Sequence, residues 1–169
     1  TNGTDREPPT ADPGAPRPRR RGAPLTDATD LPETLSEPQG FDQTLGTRYL
    51  SVTPDEVVLE LDLAPHLHQP YGIVHGGVWC SMVESAASVA AGHWLASQGR
   101  APNVVGVSNH TDFLRAAREG TVTVRATPIH RGRLQQLWLV EITDATDRLL
   151  ARGQVRLQNL ESADGLGRS

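Results

Sequence analysis

The sequence of 169 residues contains no lysine, one cysteine, one methionine and few aromatic residues, namely three Trp, two Tyr and two Phe. The single cysteine, Cys80, can form neither a disulfide within the chain nor a cysteine-based metal site. All 16 basic residues are arginine, so a Schiff-base lysine is excluded. An anion would have to be bound by arginine or by backbone amides.

Long apolar runs and an excess of positive charge are also missing. No stretch approaches the roughly 18 consecutive apolar residues of a transmembrane helix. The first ten residues, TNGTDREPPT, lack the apolar segment of a secretory signal. A net charge of −4 argues against a large basic surface for nucleic acid. We therefore expect a cytoplasmic protein with no membrane or nucleic-acid partner.

Proline is concentrated at one end of the chain, where eight of the 13 prolines lie within the first 38 residues. This stretch has too few aliphatic residues to offset its ordering entropy, so residues 1–40 are predicted to be a disordered Pro-rich tail. Its seven acidic residues outnumber its five arginines, which favours a solvated tail over a docking arm. Residues 161–169 are predicted to be a second disordered tail, and residues 41–160 a single domain.

Within that domain the spacing of apolar residues is first typical of a strand, then of a helix, and then of strands again. Leu59, Leu61 and Leu63 alternate with acidic residues, which predicts a half-buried strand over Val57–Leu63. Residues 78–97 are rich in Ala and Ser, lack proline and end before Gly99, which predicts a buried helix. Four further strands are predicted over residues 104–114, 121–130, 135–143 and 149–158, the last two joined by a hairpin turn at 144–147. The fold class is therefore α+β, with one long central helix wrapped by a curved antiparallel sheet of five to six strands.

Glu84 is the unusual residue of the predicted helix, because it is the only charged residue between His75 and His93. A carboxylate on an apolar helix is costly unless it has a partner or a chemical task. Ser88 lies one turn later and is a candidate hydrogen-bond partner. The alternative is that Glu84 reaches solvent at an exposed edge.

Gly76 and Gly77 stand just before the predicted helix. Free backbone amides at a helix start can bind an oxyanion or polarise a carbonyl, although two glycines can also serve simply as a helix-entry turn. Combined with a buried carboxylate, they suggest attack on a carbonyl carbon. Eight residues separate Gly76 from Glu84, about 12 Å along a helix axis, so one carbon cannot contact both. We therefore expect a homodimer with two sites, each built from two antiparallel helices.

Two other candidate sites are weaker. His66 and His68, with His75 nearby, could suggest zinc, but no further ligand follows at a familiar spacing. Cys80 could be a nucleophile in the first turns of the helix, although a lone cysteine there more often packs. We expect no metal site.

A family resemblance rests on the segment Gln69-Pro-Tyr-Gly-Ile-Val-His-Gly-Gly77 followed by Glu84. It resembles the N-P-x-G-x-x-H-G-G…D/E motif of hotdog-fold acyl-CoA thioesterases, the relatives of phenylacetyl-CoA and 4-hydroxybenzoyl-CoA thioesterases. The resemblance continues through residues 112–115, 130–133 and 151–154. Gln69 and Glu84 replace the commoner Asn and Asp, as in the glutamate-type 4-hydroxybenzoyl-CoA enzymes. A helper serine of some aspartate-type members has Gly106 in its place here.

The resemblance implies a role for each matching residue. Glu84 would be the catalytic carboxylate, either as nucleophile or as general base for water. The other implied catalytic roles are polarisation of the thioester carbonyl by the Gly76 N–H, orientation of the thioester or water by Gln69, support of the loop by His75 and assistance by Ser88. The implied substrate- and CoA-binding residues are Gly77, Arg131 and Arg133.

We therefore expect a thioester hydrolase that acts on a small, aromatic or medium-chain acyl-CoA. No cofactor is expected, since CoA is part of the substrate, and the assembly is expected to be a homodimer or a dimer-of-dimers tetramer. Two alternatives remain: a hydratase or dehydratase of the same fold that uses His75, and a non-catalytic acyl-CoA-binding protein.

Overall fold

Among the residues that the computed structural model describes, the first helix begins at Gly40 and the last strand ends at Asn159. The structure describes residues 37–162 and 164, so the predicted tails, 1–40 and 161–169, lie mostly outside the described residues. The elements in chain order are α1 (Gly40–Leu45), β1 (Arg48–Val52), β2 (Val57–Leu63), a 3-10 turn (Pro65–Leu67), α2 (Gly76–Ser97), β3 (Val104–Phe113), β4 (Gly120–Arg131), β5 (Gln135–Asp144) and β6 (Leu149–Asn159). None of these helices is both long enough and apolar enough to span a bilayer.

The six strands form one antiparallel sheet in the order β1-β2-β4-β5-β6-β3. The long helix α2 packs against every strand of this sheet. The predicted architecture of one central helix and an antiparallel sheet is confirmed, with β1 as a sixth strand that the sequence pattern did not reveal. The hairpin turn at 144–147 is also present, and Asp147 adopts a φ of 61° to complete it.

The start of α2 lies two residues earlier than the predicted start at position 78. Glycine is a poor helix former, which is why the pattern placed Gly76 and Gly77 outside the helix. The structure compensates with a side-chain cap: His75 Nδ1 accepts a hydrogen bond from the Gly77 N–H at 2.8 Å. Capping satisfies an amide that would otherwise lack a partner, so the helix extends back to Gly76.

One face of α2 is buried against the sheet, and five of its ten buried residues are alanine or glycine. Ala86, Ala87, Ala90 and Ala91 each have 0% exposure, which allows the helix to lie close to the strands. The prediction of a helix buried all round is wrong for the opposite side. A stripe of half-exposed residues at helical spacing runs along it: Cys80, Ser81, Glu84, Ser85, Ser88 and Val89.

Strand β3 is an edge strand, bonded to β6 on one side only. Its pairing with β6 shifts between Gly106 and Ser108, where a bulge adds one residue. As a result, Gly106 pairs with Leu157 and Asn109 pairs with Val155, so both lie on the sheet face that holds these buried partners. The edge also carries exposed apolar side chains, with Val107 46% and Phe113 55% exposed.

Candidate active site

A cavity of about 510 Å³ opens at the N-terminal end of α2. Three predicted site residues, Gln69, His75 and Gly76, contribute to its wall. The rest of the lining is mostly apolar: Pro70, Ile73, Val74, Trp79, Phe113, Leu114, Arg115 and Ala116. The loop before α2, the helix start and the segment that follows β3 therefore enclose one volume with few polar groups.

The amide of Gly76 is a free donor at this cavity. Gly77 N–H donates to His75 Nδ1 and Val78 N–H donates to the His75 carbonyl at 2.9 Å. Within residues 37–162, no acceptor bonds the Gly76 N–H. A Cβ at position 76 would lie 2.6 Å from Cε2 of Phe113, so only glycine lets this ring lie against the helix start. The N-terminus of a helix favours negative charge, so this amide is suited to polarising a carbonyl oxygen.

Two hydrogen bonds within the loop fix the backbone and the side-chain amide of Gln69. Its backbone N–H donates to the Ile73 carbonyl at 2.8 Å, and its Oε1 accepts from the Tyr71 N–H at 3.2 Å. Because Oε1 is engaged, the NH₂ group of Gln69 remains as the donor of this side chain. The predicted positioning residue therefore lines the cavity with a hydrogen-bond donor to offer.

The loop that carries Gln69 is anchored to the segment after β3. Arg118 Nη1 donates to the Gly72 carbonyl at 2.7 Å, and the Arg118 carbonyl lies 2.7 Å from His68 Nε2. Val74 N–H donates to the Ala117 carbonyl at 2.9 Å. His68, which could have suggested zinc, serves here as a loop anchor. Across the described part of the chain, no three His, Cys, Asp or Glu side chains converge as metal ligands would.

Glu84 lies away from this cavity, beside β3. Asn109 Nδ2 donates to Glu84 Oε2 at 3.2 Å and to the Cys80 carbonyl at 3.0 Å. The other carboxylate oxygen, Oε1, lies directly against Gly106, with no room for a Cβ at that position. The hydrogen bond expected from Ser88 is absent, because the carboxylate leans towards β3 and takes Asn109 as its partner. Sequence reasoning missed Asn109, since nothing in a single strand pattern links it to Glu84.

The two predicted halves of the site are thus separate within one chain. Gly76 meets Phe113 near the end of β3, whereas Glu84 meets Gly106 and Asn109 nearer its beginning. Eight residues of helix place about 12 Å between them along the axis. The structure brings Gln69, His75 and Gly76 together but leaves Glu84 and Ser88 further along α2.

The predicted CoA-binding arginines lie further away still. Arg131 Nη1 donates to Asp55 Oδ1 at 2.7 Å and to the Pro54 carbonyl at 2.8 Å, and its guanidinium lies 5.5 Å from the ring centroid of Trp94. Trp94 is 18 residues after Gly76, about 27 Å along the helix. Arg133 is exposed in the turn after β4. Arg131 is therefore engaged in contacts within the chain, and Arg133 is the more accessible of the two.

Comparison with known proteins places this fold and site in a family. The model of the Thioesterase superfamily matches residues 71–151, which include Gly76, Glu84 and Asn109. A Mycobacterium tuberculosis protein named "Putative esterase Rv1847" is 54% identical over 133 residues, covering 79% of this chain and 95% of its own. The chain belongs to the Thioesterase superfamily.

Further relatives agree with this membership. The solved structure of the M. tuberculosis protein superimposes with a TM-score of 0.69, covering 72% of this chain and 97% of that one. A 1,4-dihydroxy-2-naphthoyl-CoA hydrolase of Listeria monocytogenes is 34% identical over 111 residues, covering 66% of this thioesterase and 88% of the hydrolase. The crystal structure of thioesterase HI1161 from Haemophilus influenzae, 28% identical, has a TM-score of 0.68 and covers 75% of this chain and 87% of that one. The resemblance to hotdog-fold thioesterases is confirmed, and the chain is a thioester hydrolase.

Proposed function

We propose that this thioesterase hydrolyses an acyl-CoA, with Glu84 as the catalytic carboxylate. The observation that carries the proposal is Gly76 at the start of α2, whose N–H has no acceptor among the described residues and which lines a largely apolar cavity in a thioesterase chain. Water adds its hydroxyl to the acyl carbon and a proton to the leaving sulfur, so the products are the free acid and CoA. The reaction consumes only water and needs no metal or redox cofactor.

Each residue at the cavity has a defined task in this proposal. The thioester carbonyl oxygen accepts a hydrogen bond from the Gly76 N–H, which stabilises the negative charge that develops there during attack. The NH₂ group of Gln69 orients the thioester or the attacking water. His75 keeps the amide aimed by capping the helix through Gly77. Glu84 acts either as the nucleophile or as the base that activates water.

Because Gly76 and Glu84 of the same chain lie about 12 Å apart along α2, we propose that two subunits share each site. The half-exposed stripe on α2 and the exposed edge strand β3 lie side by side and supply a surface for a second copy. If the two α2 helices pack antiparallel about a two-fold axis, Glu84 of one subunit approaches Gly76 of the other. A dimer of such dimers is the assembly we propose.

The same two-fold arrangement gives the arginines a role. Antiparallel packing brings the C-terminal end of one α2 towards the N-terminal cavity of its partner. The turn after β4 contacts that C-terminal end through Arg131 and Trp94. Arg133, which is exposed, would then meet the CoA phosphates bound at the other subunit's cavity, while Arg131 supports the turn.

An aromatic acyl group is the substrate class that the cavity fits best. Trp79 and Phe113 present aromatic surface, and the remaining lining is mainly aliphatic. The relative from L. monocytogenes is named for a bicyclic aromatic acyl-CoA. Small and medium-chain acyl groups remain members of the panel that tests this choice.

The test is CoA release, followed with a thiol-reactive dye, from 1,4-dihydroxy-2-naphthoyl-CoA, benzoyl-CoA, phenylacetyl-CoA and octanoyl-CoA. Glu84→Gln removes the charge and keeps the shape, so we expect kcat to fall by at least about 10²-fold, as for loss of an acid–base group. Glu141→Gln is the matched control, because Glu141 pairs with Arg125 and Arg152 across the sheet, away from α2. A Glu84→Gln kcat within about threefold of wild type would overturn the role of Glu84. No CoA release from any of the four would overturn the acyl-CoA assignment.

A further inference from the structure

We infer that Asn109 and Thr111 form a positioning relay that sets the orientation of the Glu84 carboxylate. The inference deepens the proposed function and rests on the role of Glu84 in it. Asn109 touches the carboxylate, and Thr111 acts only through Asn109. Neither residue lies in the Gln69-Gly77 motif that carries the family resemblance.

The relay is a continuous chain of hydrogen bonds along β3. Thr111 Oγ1 donates to Asn109 Oδ1 at 2.7 Å, and Asn109 Nδ2 donates to Glu84 Oε2 at 3.2 Å. The second N–H of the amide donates to the Cys80 carbonyl at 3.0 Å, one helix turn before Glu84. Asn109 is therefore tied both to the backbone of α2 and to the carboxylate that α2 carries.

Thr111 completes the hydrogen bonding that holds the Asn109 amide. The Glu84 carboxylate and the Cys80 carbonyl only accept hydrogen bonds, so they direct the NH₂ group towards α2, and Thr111 then donates to the amide oxygen on the other side. With the amide reversed, its oxygen would face the Glu84 carboxylate and the Cys80 carbonyl, and three acceptors would repel one another. Gly153 makes room for the Thr111 hydroxyl, because a Cβ at position 153 would lie 2.8 Å from Thr111 Oγ1 and 2.6 Å from Val83 Cγ1.

The β3 bulge is what brings the relay beneath Glu84. Gly106 and Asn109 are three residues apart, so regular alternation would place them on opposite faces of the sheet. The extra residue between Gly106 and Ser108 returns Asn109 to the helix-facing side, and Thr111 follows it two residues later. Bulges of this kind commonly re-aim a side chain next to an active site. The carboxylate is thus held between Gly106 at Oε1 and Asn109 at Oε2.

Kinetics of paired variants test the relay. Thr111→Val keeps the shape and removes the hydroxyl, whereas Thr111→Ser keeps the hydroxyl. We expect Asn109→Leu to lower kcat by about 10- to 100-fold, the range for one hydrogen bond to a charged group, and Thr111→Val, which removes a hydrogen bond to a neutral amide, to lower it by about 3- to 10-fold, with KM changed less than about threefold in both. Thr111→Ser should restore kcat to near wild type. Thr123→Val, on the face of β4 away from α2, is the control and should leave both parameters unchanged.

A double variant separates positioning from general loss of structure. If Asn109 acts only through Glu84, then Glu84→Gln combined with Asn109→Leu should be no slower than Glu84→Gln alone. Multiplied losses, or a wild-type kcat in Asn109→Leu, would overturn the relay while leaving the role of Glu84 intact. If Glu84→Gln itself remains active, the proposed function fails instead.

Crystal structures of the variants give a readout that needs no turnover. We expect one Glu84 carboxylate orientation in wild type and in Thr111→Ser, and a displaced carboxylate in Asn109→Leu and Thr111→Val. A Glu84 side chain that stays in its wild-type orientation in Asn109→Leu would overturn the inference.

Discussion

At the residue scale, the long side chain of Glu84 fits because Gly106, which lies opposite it, has no side chain. Glutamate is one methylene longer than the commoner aspartate of related motifs, and its Oε1 occupies the space above Gly106 where a Cβ would otherwise lie. In the present conformation a side chain at position 106 would have no room beside the Glu84 carboxylate.

The prediction at this scale is that Gly106→Ala disturbs catalysis more than stability. Gly106 has no left-handed φ, so alanine is compatible with its backbone, and the atom it meets is the far end of a flexible side chain. The carboxylate must move, and displacements of about 1 Å in an active site can cost about 10²-fold. We expect kcat to fall at least about tenfold, with a melting temperature near that of wild type.

Gly153→Ala is the contrasting variant, and the comparison is made by thermal unfolding. Its Cβ would lie 2.6 Å from the Cγ1 of Val83, which has 0% exposure. Overpacking of such a core costs about 1–3 kcal/mol, so this variant should lose several degrees of melting temperature. Equal thermal destabilisation of the two variants would contradict the assignment of Gly106 to the carboxylate.

At the element scale, the short helix α1 is attached to the rest of the molecule through Asp42. Asp42 Oδ2 accepts from the Tyr49 hydroxyl at 2.9 Å, and Oδ1 accepts from Ser85 Oγ at 2.6 Å. One carboxylate therefore ties α1 to both β1 and α2. Burial, together with the charge of Asp42, raises the pKa of Tyr49 well above its usual value of 10.0. The phenol is thus kept neutral as a hydrogen-bond donor.

The prediction for this element is that Asp42→Ala destabilises the fold by about 1–3 kcal/mol, because Tyr49, 5% exposed, loses its acceptor. Adding Tyr49→Phe to Asp42→Ala should recover part of this loss, since no buried hydroxyl is then left unpaired. Chemical denaturation at pH 7 checks both variants. An additive loss in the double variant would show that Asp42 and Tyr49 stabilise the fold independently.

The raised pKa of Tyr49 also gives a pH dependence. The unfolded state ionises near pH 10 and the folded state only above it, so the stabilisation is complete below about pH 10 and is lost as pH rises further. The difference in unfolding free energy between wild type and Tyr49→Phe should therefore be constant from pH 6 to 9 and should shrink at higher pH. A difference that already falls between pH 7 and 9 would contradict the raised pKa.

At the scale of the whole molecule, the two groups of the proposed site lie apart in a single subunit. Gly76 and the carboxylate of Glu84 lie against different parts of β3, about 12 Å apart along α2. Glu84 belongs to the half-exposed stripe of the helix, and Gly76 lies one helix turn before the first residue of that stripe. A two-fold partner on this surface would complete two sites at once, so assembly and activity are coupled in the proposal.

The prediction for the molecule is that two inactive variants rescue each other when co-expressed. Glu84→Ala retains a sound Gly76 loop, and Gly76→Val, whose side chain collides with Phe113, retains a sound Glu84. Random pairing makes about half of the dimers mixed, each with one intact site of two, so activity should return to about a quarter of wild type. The measurement is the rate of CoA release by the co-purified variants.

Co-expression of Glu84→Ala with Glu84→Gln supplies the control, since these two cannot complement. Mixed Glu84→Ala and Gly76→Val dimers that remain at the level of their parents would contradict a site shared between subunits.

The sequence by itself determined most elements and identified three residues that line the cavity. Alternation of apolar residues defined β2 with its observed bounds, and β3 to β6 fall within one residue of the predicted ends. The predictions of β2, β4, β5 and β6 succeed because these strands bury apolar side chains on one face, and that requirement is written directly into a period of two. Gln69, His75 and Gly76 could be found for a similar reason: they lie close in sequence, and one loop before a helix must bring them together. Strand β1 escaped prediction because it is short and its pairing shifts between Tyr49 and Ser51.

Only the tertiary structure decided the surroundings of Glu84. From alternation alone, Gly106 and Asn109 belong on opposite faces of β3, and Ser88 is the natural neighbour of Glu84 on the helix. The bulge after Gly106 reverses that expectation and turns Asn109 towards α2. A bulge depends on how two strands pair and on what packs over them, and these are contacts between residues far apart in the chain. The local sequence pattern is therefore enough to identify Glu84. Its partners, Gly106 and Asn109, are set by the register in which β3 pairs with β6 beneath the helix.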